Sequence, residues 1–112
     1  MAGTFTAKVL ASGSLAANST ADLYTVPGST AAYVRSFRIG VGTVGANESA
    51  RIDLNTAGTN RVAHYRDFTS GNPAENVLAN GEVWLLEAGD KIAMTAGLSA
   101  NVAYTITGFE ET

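Results

Sequence analysis

The chain has one histidine, His64, in the segment Val62-Ala63-His64-Tyr65-Arg66-Asp67. An imidazole steered by a carboxylate can take a proton from a serine or threonine hydroxyl, so this segment is the first place to look for hydrolytic chemistry. Along an extended strand, however, positions three apart point to opposite faces, and Asp67 cannot orient His64 without a bulge. Asp53 or Glu82 would have to arrive through the tertiary fold, and no spacing in the sequence indicates that either does. The favoured reading is a histidine that hydrogen-bonds within a strand or an interface.

A second candidate is Gly40-Val41-Gly42-Thr43-Val44-Gly45, which matches the G-x-G-x-x-G phosphate fingerprint. That fingerprint works only when a helix opens directly after it, because the helix N-terminus holds the pyrophosphate. Here Ala46-Asn47-Glu48-Ser49-Ala50-Arg51-Ile52-Asp53 reads as a loop followed by a strand. The carboxylate expected about 20 residues on is also missing, since Asp53 and Asp67 fall either side of it. The motif is read as a glycine-rich strand end.

Metal chemistry is constrained by what the chain lacks. There is no cysteine, hence no thiolate ligand, thiolate nucleophile or disulfide. A cupin-type centre needs several histidines beside a carboxylate, and one histidine cannot supply it. No D-x-[DN]-x-[DN]-G calcium loop occurs. The sequence therefore predicts no catalytic residue, no cofactor and no metal ligand.

The net charge is −3, and Arg35, Arg38, Arg51, Arg61 and Arg66 sit in the central third. Arg35 and Arg38 differ by an odd number, as do Arg61 and Arg66, so regular strands would split each pair across two faces. A nucleic-acid groove needs clustered cations with stacking aromatics, and none is expected. Ion pairs with Asp53, Asp67, Glu48 or a neighbouring subunit are expected instead. Tyr24, Tyr33, Tyr65, Tyr104 and Trp84 stand mostly inside alternating segments, which suits core or subunit contact better than a carbohydrate groove. Glu110-Glu111 reads as a solvated tail, and the sequons at Asn18 and Asn47 carry no weight without a secretory signal.

The elements that must position these residues are strands. Period-two alternation recurs in Phe5–Val9, Tyr33–Val41, Ala50–Asn55, Val62–Phe68 and Val102–Thr107. In the longest run, Tyr33, Phe37, Ile39 and Val41 are placed on one face, with Arg35 interrupting it. Pro27-Gly28, Ala57-Gly58-Thr59-Asn60, Gly71-Asn72-Pro73, Asn80-Gly81 and Ala88-Gly89-Asp90 mark reversals. About eight strands follow, over 4–10, 21–26, 32–42, 49–56, 61–68, 82–87, 91–97 and 101–109. Pro73 to Leu78 is the one stretch suited to a helical turn. The predicted fold is all-β, a jelly-roll-like β-sandwich of short antiparallel strands. Residues 1–20 are expected to be an N-terminal arm with the first strand, and 21–112 the sandwich, in a single domain.

Composition adds two expectations. Charged residues are 15% of the chain, against ~25% in ordinary soluble domains. A chain this size buries about two-thirds of its surface, enough for one modest core, so association of copies is expected. No apolar run reaches the ~18 residues of a membrane span, and Met1 to Leu15 lacks the apolar stretch of a signal peptide. The chain is expected to be soluble, without membrane or nucleic-acid partners.

The order of segments resembles a known group. Leu23-Tyr24-Thr25-Val26-Pro27-Gly28 precedes the strand Tyr33–Ile39, then Leu86-Glu87-Ala88-Gly89-Asp90-Lys91-Ile92 gives L-x-x-G-D-x-I, and Ile106-Thr107-Gly108-Phe109-Glu110-Glu111 closes it. Over residues 21–111 this resembles short jelly-roll virion proteins of tailed bacteriophages. The resemblance implies a non-enzymatic homotrimer made in the host bacterial cytoplasm that decorates or cements the capsid by binding the major capsid protein. The alternative is a tail-fibre or tail-tip module that binds a receptor or glycan. The expected subunit or shell contacts are Phe5, Val9, Tyr24 and Trp84, with Arg35 and Arg38 as polar anchors. Residues 1–20 would be an arm reaching a neighbour.

Overall fold

A computed structural model describes residues 3–42, 48–68, 73–78, 81–97 and 101–112. The second half of the glycine motif, the Asn47 sequon, and the expected reversals at Gly71-Asn72 and Asn80 lie outside the described residues. Nine strands and no helix occur among the described residues: β1 Phe5–Leu15, β2 Thr20–Thr25, β3 Ala31–Val41, β4 Ser49–Thr56, β5 Thr59–Asp67, β6 Ala74–Asn76, β7 Trp84–Leu86, β8 Lys91–Ala96 and β9 Val102–Glu111.

One sheet has the order β1-β9-β3-β6, with β7 also on β3; the other has the order β2-β8-β4-β5. All pairings are antiparallel. The pairs nest, with β1 on β9, β2 on β8, β3 on β6 and β7, and β4 on β5, as if one long ribbon had been wound across two layers. That is the jelly-roll connection, and it confirms the all-β sandwich predicted from alternation. The pairing of β1 with β9 brings Thr4 against Thr112, where each backbone N–H donates to the other's carbonyl, at 3.0 and 3.1 Å.

Alternation explains the core. Val34, Phe37, Ile39 and Val41 of β3 and Val102 and Ile106 of β9 face Ala50 and Ile52 of β4 and Ile92, Met94 and Ala96 of β8; all are buried. Phe37 is fully buried, and its ring meets the Trp84 ring edge-on at 6.2 Å. The hairpin between β4 and β5 turns on Ala57 and Gly58, both at positive φ (52° and 81°). Two successive left-handed residues make the tight turn whose twist matches paired strands. Asp90 accepts the Ala57 N–H at 3.3 Å and the Glu87 N–H at 2.9 Å, tying this hairpin to the β7–β8 turn.

The structure corrects three expectations. The phase of β3 breaks at Arg35, where the register with β9 slips between Val34 and Ser36. Before the break Val34 points inward and Tyr33 outward; after it Phe37, Ile39 and Val41 point inward. Tyr33 therefore does not share a face with Phe37. Pro73–Leu78 is not helical: Ala74–Asn76 pairs with Arg38–Gly40, and Val77 N–H donates to the Phe37 carbonyl at 2.7 Å. Residues 5–15 are not a detached arm, since β1 pairs with β9 of its own chain from Phe5 to Leu15.

Candidate functional site

The bulge that corrects β3 also builds the surface feature of the molecule. Opposite it stands Gly108, where a Cβ would lie 1.9 Å from the Tyr33 carbonyl oxygen and 3.2 Å from the Arg35 nitrogen. Only glycine admits this approach. The extra residue leaves both Arg35 and Ser36 on the outer side of the sheet, which is how a bulge re-aims a side chain. Arg35 is exposed, with its guanidinium 6.0 Å from the centre of the Phe109 ring.

Around Arg35 the register aligns Ala7 of β1, Phe109 of β9, Tyr33 of β3 and Leu85 of β7 side by side. Phe5 extends this row, its ring 5.7 Å from that of Tyr33. Phe5, Val9, Val83 and Leu85 remain 59%, 54%, 44% and 59% exposed. They form an apolar band running from the β1 edge to the β7 edge of one sheet. Within it Phe5, Tyr33, Arg35, Val83 and Phe109 line an open groove of about 320 Å³. An adjoining hollow over Thr107 and Gly108 is bordered by Ala7, Lys8, Val9 and Arg35. Further along the same face the residues turn small and polar, with Ser12, Thr105 and Arg38 in one row.

The band is braced by the carboxylates that end β9. Tyr24 is buried and its hydroxyl donates to Glu110 Oε2 at 2.6 Å, while Lys8 Nζ donates to Glu110 Oε1 at 3.1 Å. Burial first, then this hydrogen bond and the nearby negative charge, push the Tyr24 hydroxyl well above the ordinary tyrosine value. The hydrogen bond from Tyr24, helped by Lys8, holds Glu110 below the usual carboxylate range against the opposing effect of burial. Tyr33 donates to Glu111 Oε1 at 2.8 Å, which raises the Tyr33 hydroxyl in the same direction. Glu110 and Glu111 are thus tied into the sheet and are not a solvated tail.

Of the expected contact residues, Phe5, Val9, Arg35 and Arg38 are exposed on this one face. The bulge is what keeps Arg35 and Arg38 together despite their odd spacing. Trp84 is half-buried and points inward onto Phe37. Tyr24 is a correction, because its buried side chain is committed to Glu110 and offers nothing to a partner. Phe109, Val83 and Leu85 complete the band and were not expected there, and Tyr33, expected at a core or subunit contact, joins it on the outer face. The alternation of Glu82-Val83-Trp84-Leu85 holds a signal for two of them.

The histidine finds a partner that the sequence did not suggest. His64 Nε2 meets Glu75 Oε1, and Arg66 Nη1 lies 3.4 Å from Glu75 Oε2. This cluster joins the free edge of β5 to β6 and so links the two sheets. Asp67 instead accepts the Tyr65 hydroxyl at 3.1 Å. Asp53 is buried against Arg51, at 3.2 Å, and Asn60, at 3.1 Å. Among the described residues no group of three or more His, Cys, Asp or Glu is placed to hold a metal ion, and no helix is long and apolar enough to cross a membrane. No family model matches the chain, and no curated protein matches it.

Proposed function

We propose that the protein is a structural component of a bacteriophage virion, a homotrimeric decoration or cement protein acting by adhesion rather than catalysis. The observation that carries this reading is the apolar band on the outer face of the β1-β9-β3-β7 sheet. Four large apolar side chains exposed together on one rigid face mark a surface made to be covered. The jelly-roll fold and the small, weakly charged residues of the rest of the surface agree with close packing against other proteins. Three linked copies hold a shell through contacts that are each weak, because binding one raises the effective concentration of the others, by about 10²–10⁴ in overall avidity. The test is rebinding to capsids that lack the protein. Saturable binding with a gain in heat resistance supports decoration of the major capsid protein, and no binding at micromolar protein refutes it.

A second reading, a glycan-binding module of a tail tip, is favoured by the rings of Phe5, Tyr33 and Phe109 around one groove. Binding to a glycan array without capsid affinity, lost in Phe109→Ala, selects that reading.

A further inference from the structure

We infer that the groove around Arg35 seats an extended segment of a partner protein in which an acidic residue has large apolar residues on either side. The carboxylate lies on the Arg35 guanidinium and the apolar side chains lie in the hollows that Arg35 borders. This rests on the decoration reading above for the partner's identity, while the chemistry of the segment comes from the surface alone.

Arg35 carries the first argument. Its guanidinium stands 6.0 Å from the centre of the Phe109 ring, a contact that steadies the cation and leaves its N–H donors available. Among the described residues it has neither a carboxylate nor a hydrogen-bond acceptor. The planar fork of an arginine matches the two oxygens of a carboxylate. A cation exposed among apolar side chains is complementary to an anion that arrives with apolar neighbours.

The layout supplies the second argument. Arg35 and Phe109 line both the groove of Phe5, Tyr33 and Val83 and the hollow of Ala7, Val9, Thr107 and Gly108. Lys8 also borders the hollow, but its ammonium is held by Glu110 at 3.1 Å. Arg35 is therefore the cation that both depressions share. An extended chain directs every second side chain to one side, about 6.8 Å apart. Apolar, acidic and apolar residues at alternate positions then meet groove, cation and hollow in turn.

The third argument is what the surface rejects. Glu111 stands opposite Phe5 in the register and is held by the Tyr33 hydroxyl at 2.8 Å, whereas Arg35 stands beside Gly108 at the bulge. An anion is repelled at the Phe5 end and held at the bulge, which gives the segment one direction. Of the five groove residues only Tyr33 and Arg35 carry polar side-chain atoms, and the Tyr33 hydroxyl is already committed. A glycan would leave most of its hydroxyls without partners there; an apolar segment with one charge does not.

Two measurements test this. The first follows amide NMR shifts of the isotope-labelled full chain on adding a blocked peptide, leucine-serine-glutamate-serine-leucine, or the same peptide with glutamine for glutamate. The glutamate peptide is expected to shift Arg35, Gly108 and Phe109 with a Kd on the order of 1 mM. The glutamine peptide is expected to bind about tenfold more weakly, through loss of a charge-assisted bond. The second is rebinding to capsids that lack the protein. Arg35→Gln is expected to bind about tenfold more weakly than wild type. Arg61→Gln, which removes the same charge from β5 of the other sheet, is expected to match wild type; both sites are exposed, and circular dichroism verifies both folds. Equal shifts from the two peptides, no shift at millimolar peptide, a uronic-acid oligosaccharide that shifts these amides where the peptide does not, or shell binding that Arg35→Gln leaves unchanged or that Arg61→Gln weakens as much, overturns the inference. A wild type that binds the glutamate peptide at these amides and binds no shell refutes decoration alone.

Discussion

Gly108→Ala tests whether the bulge at Arg35 is a required part of the architecture. The added carbon would start 1.9 Å from the Tyr33 carbonyl oxygen, whereas close carbon–oxygen contacts between strands are about 3.3 Å. Some 1.4 Å must therefore open between β9 and β3. β9 cannot simply retreat, because β1 is bonded along its other side. Overpacking of this kind costs about 1–3 kcal/mol, and loosening one or two ladder bonds adds about 1 kcal/mol each. The expected loss is about 2–5 kcal/mol, a large part of the 5–15 kcal/mol typical of a domain. At about 4 °C per kcal/mol for this size, Tm should fall by about 8–20 °C. The assay is thermal and urea unfolding followed by Trp84 fluorescence, with Gly28→Ala as control. A Cβ at Gly28 meets nothing within 4 Å, so that variant should lie within about 0.5 kcal/mol of wild type. If both variants unfold together, the bulge is pliable and the placement of Arg35 owes nothing to Gly108.

Tyr24→Phe removes a hydroxyl bonded to a carboxylate and should cost about 1.5–3 kcal/mol by urea unfolding. The same bond sets a pH window. Because Glu110 is held below its ordinary value, its contribution is present at neutral pH and is lost as pH falls from the ordinary carboxylate range through the lowered pKa; the acid limb of a pH–stability curve should therefore flatten in Glu110→Gln. Because Tyr24 is raised, its contribution is complete below the ordinary tyrosine value and is lost as pH climbs from there through the raised pKa. Ala57→Gly should stabilise, by about 1 kcal/mol, since Ala57 holds a left-handed conformation (φ 52°) that its Cβ disfavours; a fall in Tm would contradict this. Phe37→Ala, at a fully buried site against Trp84, should cost about 3–5 kcal/mol in the same unfolding assay.

Period-two alternation with glycine and proline punctuation made the fold class legible, because a strand half-buried on one side writes its burial directly into residue order. The pairing was not legible. The contacts of β1 with β9 join positions about as far apart in sequence as the chain allows, and no local pattern encodes them. β3 shows the finer failure. Reading Tyr33 in phase with Phe37 assumed an unbroken strand, and the residue that permits the break, Gly108, lies on a different one. The short pairing of Ala74–Asn76 with β3 likewise overrode a segment whose local sequence suited a helical turn. At the surface, Phe5, Val9, Arg35 and Arg38 could be picked out by type, but their gathering on one face depended on the bulge. Tyr24 and Glu110 showed the reverse: each looked like a surface group, and the hydroxyl–carboxylate bond between them drew both into the body of the sheet.

The mutual hydrogen bonding of Thr4 and Thr112 makes the molecule nearly circular. A linker of a few residues can bridge these positions without disturbing a strand, and the chain can be reopened at the Ala57–Gly58 turn, at the far tip of a hairpin. Such a permutant keeps every rung of both ladders while moving its termini from the β1–β9 pair of one sheet to the β4–β5 hairpin of the other, so appended peptides can be presented at either place on a single scaffold.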